Sequence, residues 1–159
     1  MLQVRQATSL DVRSIVALVQ ALARAVDVAT PVDEAYVHDY LASPGSGILV
    51  ADDAGEIVGF LSFSIRPSLL HAGRSCMIEE LVVDPATRRQ GIAARLVVEL
   101  LRHAAGWGCI EVSVTALAPQ RGAIEFYKSQ GFSDDAVSLE KHLGAGEEGE
   151  ASPLPPAPG

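Results

Sequence analysis

Apolar and polar positions change their period several times along this chain. Residues 2–6, LQVRQ, alternate and predict a short strand. Thr8 or Ser9 can then cap a helix whose apolar positions are Ile15, Leu18, Val19, Leu22 and Val26. Thr30-Pro31 marks the start of a second helix, with Asp33 and Glu34 near its positive end and Ala35, Val37 and Leu41 as its stripe. SPGSG at 43–47 is a turn. Over 48–65, two β-rich runs flank Asp52-Asp53-Ala54-Gly55, which is hairpin chemistry. A loop is expected at 66–73. Residues 75–83, SCMIEELVV, then predict a strand that is apolar except for two glutamates, and Asp84-Pro85 ends it. Ile92, Leu96, Val97, Leu100 and Leu101 recur at helical spacing before Gly106 and Gly108 stop the helix. Residues 109–117 read as a strand. Pro119 opens a helix to about Gln130, Gly131 suits its left-handed end, and a last strand lies within 136–143.

The predicted order is β-α-α-β-β-β-α-β-α-β. Neither a doubly wound sheet nor a strict βαβ repeat matches it. Strand, helix, strand in the second half gives one parallel crossover inside an otherwise antiparallel sheet, an α/β (α+β) arrangement. The 159 residues argue for one domain, assigned to 1–143. The remainder, GAGEEGEASPLPPAPG at 144–159, is acidic and rich in Pro and Gly, and is expected to be disordered.

Charge excludes some partners. The formal net charge is −8, and the chain stays acidic even without Glu147, Glu148 and Glu150 of the tail. That disfavours nucleic acid and suits a cationic or amine-bearing small molecule. Two cysteines, Cys76 and Cys109, make no disulfide framework, and four scattered histidines show no metal-ligand spacing, so no metal is expected. The longest uncharged stretch, 40–51, contains Pro44, so no transmembrane helix is predicted. The apolar run at 14–23 follows Asp11 and Arg13 and is broken by Gln20, unlike a signal peptide. A cytoplasmic location is expected.

The most informative segment is VVDPATRRQGIAARL, 82–96. A strand ends, Arg88, Arg89 and Gln90 follow, and Gly91-Ile92-Ala93 opens a helix. Unpaired N–H groups at a helix start, a positive dipole end and two arginines together suit a pyrophosphate. The plainer alternative is an ordinary helix start with solvated arginines. The Lys-Ser/Thr of a Walker loop is missing, and so is a complete G-x-G-x-x-G.

Arg88-x-x-Gly91-x-Ala93 after IEELVVDP resembles the acetyl-CoA-binding signature of the GNAT-type N-acetyltransferases. AIEFYKSQGF at 123–132 is similar to the second signature of that family, with Ala123, Tyr127 and Gly131-Phe132 in matching places. The resemblance covers residues 2–143. It implies a strongly twisted mixed sheet with helices on both faces, whose central strands, here 75–83 and 109–117, splay around the pantetheine arm. Main-chain groups of Leu81, Val82 and Val83 would bond the pantetheine amides. Backbone amides of Arg89, Gln90, Gly91, Ile92 and Ala93, with the Arg88 side chain, would hold the pyrophosphate. Gln120 stands where the family often has an asparagine that contacts pantetheine. Tyr127 matches the tyrosine beside the thioester sulfur and is the expected general acid.

Glu79 and Glu80 are the candidate bases, acting directly or through water. Alternation sends them to opposite faces, and the parity favours Glu79, on the side of Leu81 and Val83 unless a bulge intervenes. A structural ion pair or a solvated edge remains the alternative. Thr115 stands where some protein-acetylating members carry a glutamate, which weakens the case for a protein acceptor. The resemblance implies an acceptor pocket built largely from the first two helices. Asp27, Asp33, Glu34 and Asp39 lie in or beside them, which fits a polyamine, aminoglycoside or amino-sugar amine as well as it fits a solvated acidic face. The leading reading is direct acetyl transfer from acetyl-CoA to a small-molecule primary amine. The runner-up is a non-catalytic acyl-CoA-binding sensor. A homodimer stays open.

Overall fold

The computed structural model describes residues 1–116 and 121–143. Gln120 and the tail at 144–159 therefore lie outside the described residues. Five strands form one sheet in sequence order: β1 (Leu2–Gln6), β2 (Ser46–Asp53), β3 (Glu56–Ser68), β4 (Gly73–Val83) and β5 (Cys109–Val114). The first four pair antiparallel, and β5 lies parallel to β4. Four α-helices lie among the described residues: α1 (Val12–Ala25), α2 (Glu34–Ala42), α3 (Ile92–Gly106) and α4 (Arg121–Ser129).

The helices divide between the two faces of the sheet. Ile48, Val50, Phe60 and Val82 point toward α1 and α2, where they meet Val12, Ile15, Leu18 and Val37. Leu49, Ala51, Leu61 and Phe63 point the other way, onto Ile92, Leu96, Val97 and Leu100 of α3 and Tyr127 of α4. The run Ile48-Leu49-Val50-Ala51 is buried on both sides because β2 is covered by both layers.

Most boundaries follow the sequence pattern to within a few residues; β5, expected to run to 117, ends at Val114, and three further expectations change. Helix α2 starts at Glu34, not at Thr30-Pro31. The Asp33 carboxylate accepts from the Tyr36 N–H at 2.8 Å and caps it, while the Thr30 hydroxyl is taken up by the Val32 N–H. Half of the loop expected at 66–73 is strand, since Ser68 pairs with Gly73 and only 69–72 turn. The strand expected within 136–143 is absent: among the described residues no strand pairs with it, and Val137, Leu139 and Leu143 stay exposed. Alternation gave that segment a strand-like pattern, but without a ladder partner the pattern makes no strand.

One ion cluster ties the start of α1 to the sheet. The Arg5 guanidinium on β1 grips the buried Asp11 carboxylate with two bonds, at 2.8 and 2.9 Å, and reaches Asp52 of β2 at 2.8 and 3.1 Å. Asp11 also accepts from the Thr8 N–H at 2.7 Å, so Thr8 and Asp11 cap each other. The guanidinium bonds hold the Asp11 carboxyl below the usual carboxylate range. A carboxylate depressed by folding stabilises the fold above its unfolded pKa and loses that contribution as pH falls through the folded value. Asp11→Asn is expected to cost about 1–3 kcal/mol at pH 7. Melting curves of both proteins should converge as pH drops through the acid range.

Candidate active site

Strand β4 carries one residue too many for its partner. Ser62 of β3 pairs with Glu80, but Phe63 pairs with Ile78, so Glu79 is bulged out of the register. The inward set shows the same slip: Cys76, Ile78, Leu81 and Val83 all meet the α3 face, with a step of three in the middle. Alternation counted from either end then puts Glu79 and Glu80 together on the α1–α2 face. This corrects the expected parity, under which the two glutamates faced opposite ways and Glu79 shared a side with Leu81 and Val83.

Two serines receive them. Ser62 and Ser64, two apart on β3, share that face. The Ser62 hydroxyl donates to the Glu80 carboxylate and accepts from the Glu80 N–H at 3.0 Å. Ser64 donates to Glu79 Oε1 at 2.6 Å. From above, Tyr40 of α2 donates its hydroxyl to the Phe63 carbonyl at 3.2 Å. Burial, then Glu80, then Glu79 push the Tyr40 phenol up to about 12, partly offset by the neighbouring Ser62 hydroxyl. Sequence reasoning missed Tyr40, Ser62 and Ser64. Their signal was present: serines at spacing two inside FLSFSI, and an aromatic three residues after Val37 on the helix stripe.

Beyond the bulge the sheet opens. Strand β5 pairs with β4 only from Arg74 to Ile78, ending at Val114. From Glu79 to Val83 the β5 side of β4 has no strand neighbour among the described residues. A cleft of about 310 Å³ begins here, between Leu18, Ala21 and Leu22 of α1 and Leu81, Val82 and Val83 of β4, and reaches Arg88 and Ala93. Gly91 stands at the start of α3 with φ +73°, preceded by Arg89 at φ +65°. No side chain caps this helix, and a Cβ built on Gly91 meets nothing within 4 Å. Open space therefore lies over N–H groups that have no intrahelical partner. A second concavity of about 340 Å³, lined by Gln6, Gly47, Phe63 and Trp107 among others, takes in none of the expected site residues.

Tyr127 lies on the other side of the sheet, packed edge-on against Phe126 and Phe132. Burial alone pushes its phenol up to about 12. Cys76 is fully buried and its thiol is likewise pushed up to about 12, so it is no thiolate nucleophile at neutral pH. Among the described residues no group of three or more His, Cys, Asp or Glu could hold a metal, and no helix is long and apolar enough to cross a membrane.

A sequence profile of the Acetyltransferase (GNAT) family matches residues 15–132. The chain belongs to the GNAT acetyltransferase family. Among its GNAT relatives, glucosamine 6-phosphate N-acetyltransferase 1 of Oryza sativa subsp. japonica is 33% identical over 95 residues, which are 58% of this chain and 56% of that protein. The aminoglycoside N(6')-acetyltransferase type 1 of Klebsiella aerogenes is 29% identical over 103 residues, 64% of this chain and 68% of that one. The chain spans about half the length of several curated relatives it matches. A solved acetyltransferase of Trypanosoma brucei superposes with a TM-score of 0.76 at 25% identity, covering 90% of this chain and all of that one.

The Ser62–Glu80 pair lends itself to a stability test. Ser62 is only 3% exposed and satisfies both the carboxylate and the N–H of Glu80. Ser62→Ala should cost about 1 kcal/mol, since the exposed Glu80 carboxylate can turn to water while its N–H loses a partner. Chemical denaturation would show a lower midpoint with an unchanged slope.

Proposed function

We propose that this chain transfers an acetyl group from acetyl-CoA directly to a primary amine of a small molecule. One observation carries the reading: the bulged carboxylate pair and the open, glycine-started helix lie at the two ends of one gap beside β4. Residues 1–143 would form the catalytic domain, with 144–159 as an appended tail. The proposed setting is the cytoplasm, with no metal and no nucleic-acid partner.

The site fits the co-substrate. Arg88 and the backbone amides from Arg89 to Ala93 would take the pyrophosphate, and the free side of Leu81, Val82 and Val83 would pair with the pantetheine arm as a substitute strand. Acetyl-CoA supplies a thioester; the amine nitrogen forms the C–N bond as the C–S bond breaks, and coenzyme A leaves as the thiol. Glu79 or Glu80 takes a proton from the amine. Tyr127 serves the departing sulfur. With its phenol near 12 and a free thiol near 8.5, complete proton transfer runs uphill by roughly 5 kcal/mol. Its service is therefore a hydrogen bond to the charge growing on sulfur, with the final proton drawn from water. Acidic residues in and beside α2 support a cationic acceptor such as a polyamine, and the relatives' named substrates support the amino-sugar and aminoglycoside kinds.

The deciding assay measures free thiol from acetyl-CoA with and without glucosamine 6-phosphate, kanamycin or spermidine. Amine-dependent release supports the reading; tight acetyl-CoA binding with no release for any amine leaves only a binding module. Gly91→Val should strain a position at φ +73° and fill the space over the helix start. Calorimetry should show acetyl-CoA affinity at least ~10-fold weaker, since backbone approach to the pyrophosphate is lost. Tyr127→Phe should keep acetyl-CoA affinity while kcat falls ~10-fold or more, at or below the low end for general-acid assistance. An unchanged kcat with chemistry rate-limiting removes Tyr127 from the mechanism.

A further inference from the structure

The two carboxylates of the bulge are not equivalent. Glu80 is bound twice to one buried serine, through its carboxylate and through its own N–H. Swinging that carboxylate away would strip a partner from a buried hydroxyl. Both carboxylates are exposed, but the hydroxyl partner of Glu79, Ser64, is only partly buried. Glu79 can exchange that partner for an incoming group without opening the core.

Helix α2 forms the roof over this pair, and it is a lightly anchored roof. It has nine residues, of which Val37 is the single one fully buried. Tyr40 and Leu41 pack beside it, half-buried. Tyr40, almost one turn on from Val37, adds a directional attachment by donating to the Phe63 carbonyl at 3.2 Å, between the two serines that receive the glutamates. That bond fixes the roll of α2 directly above the bulge.

We propose that Tyr40 is a positioning residue for the acceptor: its hydroxyl locks α2 over the bulge, so that Glu80 is a fixed wall and Glu79 is the carboxylate left to meet the amine. This rests on the acetyl-transfer reading above and adds a division of labour within it. The phenol suits the task, because burial and two neighbouring carboxylates keep it protonated, and hence a donor, throughout the neutral range.

Tyr40→Phe keeps the ring and removes the donor. Thiol release from acetyl-CoA would be followed with glucosamine 6-phosphate, kanamycin and spermidine, at varied concentrations of each amine that supports turnover. The expected result is an amine KM raised ~10-fold or more, with kcat changed less than about threefold. Acetyl-CoA affinity by calorimetry should stay within about twofold, which also shows that the variant is folded. Glu79→Gln should lower kcat far more than Glu80→Gln. A Tyr40→Phe protein with wild-type KM and kcat overturns this inference and leaves acetyl transfer standing. So does a parallel loss of acetyl-CoA affinity, which would mark Tyr40 as a general support of the fold. Wild-type protein that releases no thiol with any of the amines overturns the acetyl-transfer reading, and this inference with it.

Discussion

A strand covered on both faces cannot carry two neighbouring carboxylates while its side chains alternate strictly. One of them would be forced against the apolar layer of α3, where an unpaired charge costs several kcal/mol. Strand β4 escapes this by inserting Glu79 as an extra residue, which turns both glutamates to the α1–α2 face. Nearly everything chemical about the fold follows from that slip. Ser62 and Ser64 are spared the apolar identity of their neighbours because they have carboxylates to serve. The bulge also coincides with the place where β5 leaves β4, so the carboxylates stand at the mouth of the opened sheet and not in its closed middle.

The parallel step is what keeps that mouth open. Strands β3 and β4 are joined by a tight hairpin and stay paired from Gly59–Val83 to Ser68–Gly73, whereas β4 and β5 are joined by α3 and share only the stretch from Arg74 to Ile78. The crossover starts at Gly91, whose left-handed backbone turns the chain into the helix without a capping side chain. A single connection thus creates both the free strand edge and the uncapped helix start next to it. An elongated anionic ligand with amide groups in its middle matches those two features in that order.

Much of this was legible in the sequence, and the unread part has physical reasons. Strands, helices α1, α3 and α4, and the helix start at Gly91 were carried by local periodicity and by glycine chemistry, which act over a few residues. The facing of Glu79 and Glu80 was misread because a bulge changes parity by one and leaves no local mark in an apolar strand. Tyr40 was passed over because its meaning lies in Phe63, twenty-three residues away on another element. The strand expected at 136–143 shows the converse error. Val137 and Leu139 alternate well, yet alternation is only half of a strand, and the other half is a neighbour with which to share hydrogen bonds.

The arrangement also limits how protons can move. Glu79 and Glu80 are on the α1–α2 face, and Tyr127 is embedded in the layer between α3, α4 and the opposite face. The backbone of β4 stands between them, and neither carboxylate is among the influences on the Tyr127 phenol. Under the acetyl transfer proposed above, a proton leaving the amine would have no short side-chain relay to the sulfur. Each side would exchange its proton with water, the carboxylates at their exposed tips and the sulfur by way of the gap beside β5. Such a site would not need a matched acid–base pair. It would need a carboxylate in contact with water and a buried phenol, held on opposite faces of one strand.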